Sequence, residues 1–161
     1  MGVVITLRTL SVDDWAEWRA MRLDALAEAP HAFGTKLADW QGEGDVEERW
    51  RRRLADVDLN LLAEYGGKPA GIVSGQLSEN DVVQLLSMYV APFARGRGVG
   101  DELVRAVVRW AGHRRVLLRV FEGNRPAEEL YRRNGFAAGG RYGREREMVH
   151  RGQVRQARGL E

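Results

Sequence analysis

A strand that runs directly into a glycine-rich loop and then a helix is the feature that most constrains this sequence. Residues 85–107 read LLSMYVAPFARGRGVGDELVRAV, and the apolar strand ends at Pro92. The loop before the helix holds two arginines and three glycines: Arg95, Gly96, Arg97, Gly98 and Gly100. Such a unit aims backbone N–H groups and the positive end of a helix at one point, where they bind phosphate. The sequence therefore predicts a phosphate-binding loop, although three glycines alone would equally suit a flexible turn.

Two common nucleotide-binding motifs do not fit this loop. A Walker loop requires Gly-Lys-Ser or Gly-Lys-Thr, and the sequence contains neither. A G-x-G-x-x-G dinucleotide motif that began at Gly96 would place Asp101 at its third glycine, so that a carboxylate would meet the pyrophosphate. The loop also follows several predicted antiparallel strands and does not open a βαβ unit. A nucleotide-binding domain is therefore only a distant third hypothesis.

Length, charge and cysteine content limit the class of protein. The 161 residues suit one domain, which we place at 1–150, followed by a flexible basic tail at 151–161. The formal net charge of +2 equals the charge of that tail, so the body is near neutral and no nucleic-acid partner is expected. We expect no membrane partner, because no apolar run approaches the ~18 residues of a membrane span. We expect no signal peptide, because no basic residue precedes the apolar run at the N-terminus and no small-residue cleavage site follows it. The sequence has no cysteine, which favours a cytoplasmic location.

The order of the predicted elements favours an α+β fold. We expect β-α-α-β-β-β-α-β-α-β-β, at residues 3–9, 11–29, 45–56, 59–64, 69–77, 82–90, 99–111, 116–121, 126–134, 136–138 and 144–149. Antiparallel strands precede a strand, helix, strand unit, whereas a doubly wound fold would alternate strands and helices from the start. The prediction is a mixed, mostly antiparallel central sheet flanked by helices.

Two stretches of this sequence resemble one known family. The stretch Val90-Ala-Pro-x-x-Arg-Gly-Arg-Gly-Val-Gly100 is similar to the acyl-CoA loop of the GNAT superfamily of N-acetyltransferases, Arg/Gln-x-x-Gly-x-Gly/Ala. Residues 124–136, NRPAEELYRRNGF, resemble the family's Asn-x-x-Ala-x-x-Leu-Tyr-x-x-x-Gly-Phe helix. The resemblance extends from residue 3 to about residue 150. It implies a GNAT-like fold and an enzyme that moves an acetyl group from acetyl-CoA to a primary amine by direct attack, with no metal.

The resemblance also implies roles for individual residues. The backbone of Met88, Tyr89 and Val90 would pair with the pantetheine arm like an added strand, and the Val90 N–H would stabilise the oxyanion. Tyr131 would contact the cofactor and protonate the departing thiolate, and Asn124 would bind the arm or the start of its helix. From the residue alone, Tyr131 would be read as a packed aromatic. The pyrophosphate would be held by the amides of Arg95, Gly96, Arg97, Gly98, Val99 and Gly100.

The sequence departs from the family pattern at the general base. Many members carry a glutamate six residues before the valine that ends the central strand, and here that residue is Gln84, whose amide cannot act as a base. Glu79 and Asp81 in the preceding turn are candidate substitutes, although such acids are more often merely solvated. The acceptor could also bind already deprotonated. The missing base leaves an alternative hypothesis, a non-catalytic module that binds or senses acyl-CoA.

The acceptor pocket is predicted from the segment APHAFGTKLADW, residues 29–40. Related GNAT proteins often carry a similar Ala-Phe-Gly-Ser/Thr loop, so Phe33 and Gly34 are the predicted substrate-binding residues. Phe33 could equally anchor the loop in the core. The expected partner is a small-molecule or peptide amine, and a homodimer is a further hypothesis because the fold often pairs through edge strands or helices. No metal is predicted, because the three histidines are too scattered to form a ligand pair.

Overall fold

A computed structural model of the chain describes residues 2–28 and 36–153. Within these residues the predicted order of strands and helices is confirmed. The strands are β1 (Ile5–Thr9), β2 (Leu59–Tyr65), β3 (Lys68–Leu77), β4 (Val83–Val90), β5 (Val116–Phe121), β6 (Ala137–Tyr142) and β7 (Glu145–His150), and the helices are α1 (Trp15–Glu28), α2 (Glu47–Asp56), α3 (Val99–Ala111) and α4 (Arg125–Arg133). None of these helices has the length and apolar character needed to cross a bilayer.

The described strands form one sheet in the order β1-β2-β3-β4-β5-β7-β6. Strands β4 and β5 run parallel and the other neighbours run antiparallel, which confirms the predicted mixed, mostly antiparallel sheet. The parallel pairing is short, since β5 meets β4 only at Val83–Val116 and Gln84–Leu117. Beyond Gln84, the edge of β4 that faces β5 has no strand partner among the described residues. The two strands therefore diverge and leave a gap.

A β-bulge divides β4 into two halves. Ser74 of β3 lies opposite Leu86, but Ile72 lies opposite Tyr89, so β4 carries one extra residue between these pairs. Ser87 in the bulge has a φ of +55°, a left-handed conformation that is uncommon for a residue other than glycine. A bulge bends its strand and exchanges the faces of the side chains that follow it. This bend accounts for the divergence of β4 from β5.

A half-buried arginine braces the bulge. Arg53 of α2 donates from Nη2 to the Oγ atoms of Ser74 and Ser87, both at 3.2 Å, and from Nη1 to Asn60 Oδ1 at 3.0 Å. Its guanidinium lies 4.9 Å from the centroid of the Trp18 ring. Burial lowers the pKa of Arg53 to about 10, so the group stays charged at neutral pH. Helix α2 is thereby tied to the shape of β4.

Apolar side chains pack on both faces of the sheet. The core between the sheet and α3 contains, among others, Val83 and Leu85 of β4 and Val99, Leu103 and Val107 of α3. The core on the other face contains Trp18 of α1 and Trp50 of α2, packed against Leu62, Ile72 and Tyr89 of the sheet. Odd-numbered residues of β4 therefore face α3 before the bulge, whereas Tyr89 faces α1 after it. The extra residue in β4 is what places Tyr89 beneath α1.

Several element boundaries differ from the prediction, and the contacts of α2 and β6 explain two of these differences. Helix α2 begins two residues late because the Asp45 side chain serves as an anchor: it accepts hydrogen bonds from Arg19 at 2.7 and 2.5 Å and from Trp50 Nε1 at 2.8 Å. These contacts, that of Arg19 first, lower the pKa of Asp45 to about 2. Strand β6 continues past the predicted end at Ala138 as far as Tyr142, because it stays paired with β7.

Candidate active site

An open cleft of about 700 Å³ lies where β4 and β5 diverge. Its walls come from the second half of β4, the glycine loop, the first turn of α3, helix α4 and the last residue of α1. The lining residues include Glu28, Met88, Tyr89, Val90, Arg95, Gly96, Gly98, Gly100, Asn124, Leu130 and Tyr131. Both sequence motifs therefore meet in one place, although more than twenty residues separate them along the chain.

The glycine loop leaves the N-terminus of α3 open to the cleft. Gly96 and Gly98 have φ values of +73° and +87°, which glycine adopts without steric cost. Gly98 is the N-cap residue, and no side chain caps the helix. The Val99 side chain is buried in the core, so its backbone alone is available at this point. Because the first amides of a helix have no acceptor within it and carry the positive end of its dipole, this end of the cleft can bind an anion.

Close packing of α3 against α4 forms the floor of the cleft. A Cβ atom added to Gly100 would lie 3.3 Å from Leu130 Cδ2 and 3.5 Å from Met88 Cε. Asp101 accepts a hydrogen bond from Arg133 Nε at 2.8 Å, and this contact is the main cause that lowers the pKa of Asp101. The negative charge of Asp101 at the start of α3 is therefore neutralised by Arg133 of α4.

The two loop arginines point in different directions. Arg95 lines the cleft, where Nε donates to the Val90 carbonyl oxygen at 3.1 Å and Nη2 donates to Glu28. Arg97 is exposed, and its guanidinium lies over the Tyr65 ring at 5.7 Å from the centroid. Arg95 therefore presents its side chain to the cleft, whereas Arg97 is not a lining residue and contributes only positive charge nearby.

The end of β4 directs a backbone donor into the gap. The Ala91 N–H donates to the Ala70 carbonyl oxygen at 2.7 Å, on the side of β3. Successive amides of a strand point to opposite edges, so the Val90 N–H points toward the edge that β5 has left. The side chains of Met88 and Val90 are half-buried and pack toward α3. The cleft therefore contains a free strand edge that includes the Val90 amide.

Helix α4 contributes two polar side chains to the cleft. Tyr131 lines it although only 6% of the residue is exposed, and its ring lies 5.7 Å from that of Phe136. Burial raises the pKa of Tyr131, so the phenol keeps its proton well above neutral pH. Asn124 caps α4, since its Oδ1 accepts a hydrogen bond from the Ala127 amide at 3.4 Å. A neutral hydroxyl and an amide side chain thus border the gap opposite β4.

The sequence that forms this cleft matches a known family model. The model described as the acetyltransferase (GNAT) family matches residues 15–136, which include both motifs and most of the sheet. The chain belongs to the GNAT acetyltransferase family. The predicted resemblance is confirmed, and so is the GNAT fold.

Individual relatives agree with this assignment. An uncharacterized N-acetyltransferase of Methanocaldococcus jannaschii is 33% identical over 90 residues, which cover 50% of this chain and 40% of that protein. The mycothiol acetyltransferase of Corynebacterium glutamicum is 36% identical over 102 residues, which cover 62% of this chain and 30% of that protein. The chain thus spans less than half the length of these two curated relatives. The crystal structure of the PaiA N-acetyltransferase of Thermoplasma acidophilum in complex with coenzyme A has a TM-score of 0.74 at 19% identity and covers 92% of this chain and 99% of that one, which shows a shared fold.

The residue at the usual position of the GNAT glutamate lies away from the cleft lining. Gln84 is exposed, in the half of β4 that pairs with β5. Asp81 accepts a hydrogen bond from Arg114 Nε at 2.6 Å, and Glu79 belongs to the same turn. At ~3.3 Å per residue, this turn is roughly 30 Å along the strand from Val90. The structure therefore brings neither Gln84 nor the two candidate bases, Glu79 and Asp81, to the end of β4.

A glutamate that the sequence analysis did not single out lies at the end of β4 instead. Glu28, the last residue of α1, accepts hydrogen bonds from Tyr89 Oη at 2.5 Å and from Arg95 Nη2. These contacts, that of Tyr89 first, hold the pKa of Glu28 below its usual value. Burial, and then the Glu28 hydrogen bond, raise the pKa of Tyr89, which keeps the phenol a donor. The sequence contained one signal for Glu28: an acid in the last turn of a helix opposes the helix dipole.

The predicted GNAT acceptor residues Phe33 and Gly34 lie outside the described residues, as does His31. His113 and His150 do not line the cleft, and burial lowers the pKa of His150. Across residues 2–28 and 36–153, no cluster of three histidine, aspartate or glutamate side chains is arranged to hold a metal ion.

Proposed function

We propose that the chain is an acetyl-CoA-dependent N-acetyltransferase that transfers an acetyl group to a primary amine within a ternary complex. One observation carries this proposal. The gap between β4 and β5 opens onto the uncapped N-terminus of α3, the amide edge that includes Val90, and the protonated Tyr131. An acetyl-CoA molecule needs these three kinds of group in this order, because its pyrophosphate, pantetheine arm and thioester follow one another along the molecule.

Backbone groups make most of the proposed cofactor contacts. The pyrophosphate would lie on the amides from Gly96 to Gly100, where the helix dipole and Arg95 both favour negative charge. The peptide-like pantetheine arm would pair with the free edge of β4 at Met88 and Val90, as an added strand does. Asn124 caps α4 beside this path and can also reach the arm.

The transfer forms a bond between the amine nitrogen and the thioester carbonyl carbon and breaks the carbon–sulfur bond. The Val90 N–H would stabilise the negative charge that develops on the carbonyl oxygen. Tyr131 would give its proton to the departing thiolate, and that proton is present throughout the neutral range because burial raises the pKa of this phenol. A thiolate that leaves inside the cleft is desolvated as well, which increases its own affinity for the proton. The amine nitrogen gives up one proton as the amide forms, and this proton returns to Tyr131 through water.

The proposal is tested by acceptor-dependent release of coenzyme A. Purified protein and acetyl-CoA are mixed with a panel of alkylamines, amino acids and peptides, and free thiol is followed over time. We expect at least one primary amine to accelerate thiol release far above hydrolysis and to yield the acetylated amine by mass spectrometry. Binding of coenzyme A without acceleration by any amine would contradict the proposal.

A non-catalytic acyl-CoA sensor is the second candidate, and Gln84 is the observation that favours it. An exposed amide at this position cannot take a proton from an amine. The two candidates differ in one readout, because both bind acetyl-CoA and only the enzyme consumes it when amine is added. The Gln84→Glu variant sharpens the comparison: a sensor that lost its base would gain turnover, whereas an enzyme that does not use this position would not.

A further inference from the structure

The acids that line the cleft differ in what compensates their charge. Asp101 is paired with Arg133 of α4, and Glu129 is exposed one helical turn before that same arginine. Glu28 stands on the opposite wall, at the end of α1, and its cationic partner is Arg95 of the glycine loop. A carboxylate at the C-terminal end of a helix is destabilised by the helix dipole, so Glu28 needs a cation more than the other two do.

Glu28 is close to the point at which acetyl transfer would occur. Arg95 donates through Nε to the Val90 carbonyl oxygen at 3.1 Å and through Nη2 to Glu28, so one guanidinium spans the distance between them. Tyr89 fixes the second carboxylate oxygen from the face of β4 that lies under α1. The carboxylate is therefore held by a residue adjacent to Val90, on the side of the sheet opposite α3.

The cation that now compensates Glu28 is one that the cofactor would also attract. In the proposed complex the pyrophosphate lies beside Arg95, and phosphate is a strong bidentate partner for a guanidinium. As Arg95 turns toward the pyrophosphate, Glu28 keeps the neutral hydroxyl of Tyr89 and loses its charged partner. Asp24, one turn earlier on α1, is exposed and adds negative charge near Tyr89. The α1 wall then presents negative charge that a second cation can neutralise.

We infer that Glu28 is the acceptor-binding carboxylate, which takes the ammonium group of a cationic alkylamine once Arg95 has turned to the cofactor. The inference rests on the proposed function and adds to it the acceptor class and the residue that selects it. In the complete reaction the bound ammonium loses two protons. One replaces the proton that Tyr131 gives to coenzyme A, and the other leaves through Glu28 to water.

The Glu28→Gln variant tests the inference because it should change the two substrates in opposite directions. Removal of the carboxylate frees Arg95, so we expect coenzyme A to bind up to about 5-fold more tightly, the range of an exposed ion pair. We expect the KM for an alkylamine that wild type accepts to rise about 10-fold or more, as for a lost hydrogen bond to a charged group. With an aromatic amine, which is uncharged at neutral pH, the rise in KM should be small. Calorimetry gives the first quantity, and initial rates of thiol release give the others.

The Glu17→Gln variant is the matched control, because Glu17 also lies on α1 and pairs with an arginine, Arg8, but does not line the cleft. The Glu17→Gln variant should keep the wild-type affinity for coenzyme A and the wild-type KM for the alkylamine. Weaker or unchanged coenzyme A affinity in Glu28→Gln, or an unchanged KM for the alkylamine, would overturn the inference while the wild-type protein still acetylates amines. Failure of the wild-type protein itself to release coenzyme A with any amine would instead defeat the proposed function, and the acceptor role of Glu28 with it.

Discussion

On one side of the cleft, which we call the cofactor side, most groups that face the proposed ligand are backbone amides and helix ends, joined by the side chains of Asn124 and Tyr131. They come from two continuous stretches, residues 88–101 and 124–133. On the other, the acceptor side, they are side chains from separate elements, Glu28 of α1 and Tyr89 of β4, and Arg53 of α2 braces the bulge of the same strand at Ser87. The first side is specified by local conformation and the second by tertiary packing. The bulge at Ser87 links the two sides, because β4 contributes the Val90 amide to the cofactor side and the Tyr89 side chain to the acceptor side.

The largest effect should come from a charge placed on the cofactor side. In Gly98→Asp a carboxylate would stand where the pyrophosphate binds, and the strained φ of +87° would favour local rearrangement of the loop. We expect coenzyme A affinity to fall about 100-fold or more, since like charges about 4 Å apart repel by several kcal/mol near a protein surface. Isothermal calorimetry measures the loss.

The control for this variant is Gly143→Asp. Gly143 also has a positive φ, +64°, with no atom within 4 Å of an added Cβ, but it lies in the turn between β6 and β7. It should bind coenzyme A as wild type does. Equal affinity in Gly98→Asp and wild type would show that the cofactor side does not depend on the glycine loop.

The next effect should come from Tyr131→Phe, which removes a hydroxyl from the cofactor side and keeps the ring. We expect kcat to fall roughly 10-fold or more, because a general acid is lost, and coenzyme A affinity to stay near wild type. The exposed Tyr142 of β6 supplies the control variant, Tyr142→Phe. An unchanged kcat in Tyr131→Phe would assign this residue to packing against Phe136 alone.

A smaller effect should show how far the two sides are coupled. Arg53→Met removes the donor that braces Ser87 in the bulge, so the free edge of β4 becomes less well fixed. We expect coenzyme A affinity to fall roughly 3-fold and the free energy of unfolding to drop by about 1–3 kcal/mol. Arg52→Met on the exposed face of α2 is the control. Wild-type affinity in Arg53→Met would mean that the cofactor side forms independently of α2.

The smallest effect concerns the anchor between α1 and α2. The pKa of Asp45 is lowered from 3.8 to about 2, so the stabilisation it provides is complete above pH 3.8 and is lost as the pH falls through about 2. The Tm of Asp45→Asn should therefore lie below that of wild type from pH 5 to 7, and the two values should converge toward pH 2. Asp13→Asn, which changes an exposed ion pair with Arg51, should show little difference at any pH. If the difference in Tm between Asp45→Asn and wild type does not change with pH, the assigned role of the carboxylate is contradicted.

The contrast between the two sides also explains what the sequence could predict. The glycine loop, the helix after it and the Asn124 cap depend on local conformation, so residue types at fixed spacing were enough to place them. The succession of elements predicted a mixed, mostly antiparallel sheet, whereas the position of β7 between β5 and β6 was not predicted.

The features that escaped prediction depend on contacts between distant residues. Nothing in the apolar run of β4 marks Ser87 as a bulge, so the change of face that places Tyr89 under α1 could not be predicted from alternation. Glu28 and Arg95 are 67 residues apart, and their ion pair forms only because the end of α1 packs beside the glycine loop. Asp45 was assigned to a helix from the spacing of the apolar residues that follow it, whereas its contacts with Arg19 and Trp50 hold it outside α2.

The central claim is that the amides between β4 and α3 bind the pyrophosphate of coenzyme A. Titration of ¹⁵N-labelled protein with coenzyme A, followed by amide chemical shifts, tests it residue by residue. We expect the largest saturable shifts at Gly96, Gly98 and Gly100, with smaller ones at Met88 and Val90 along the free strand edge. Absence of saturable shifts, or shifts confined to the β6–β7 edge of the sheet, would contradict it.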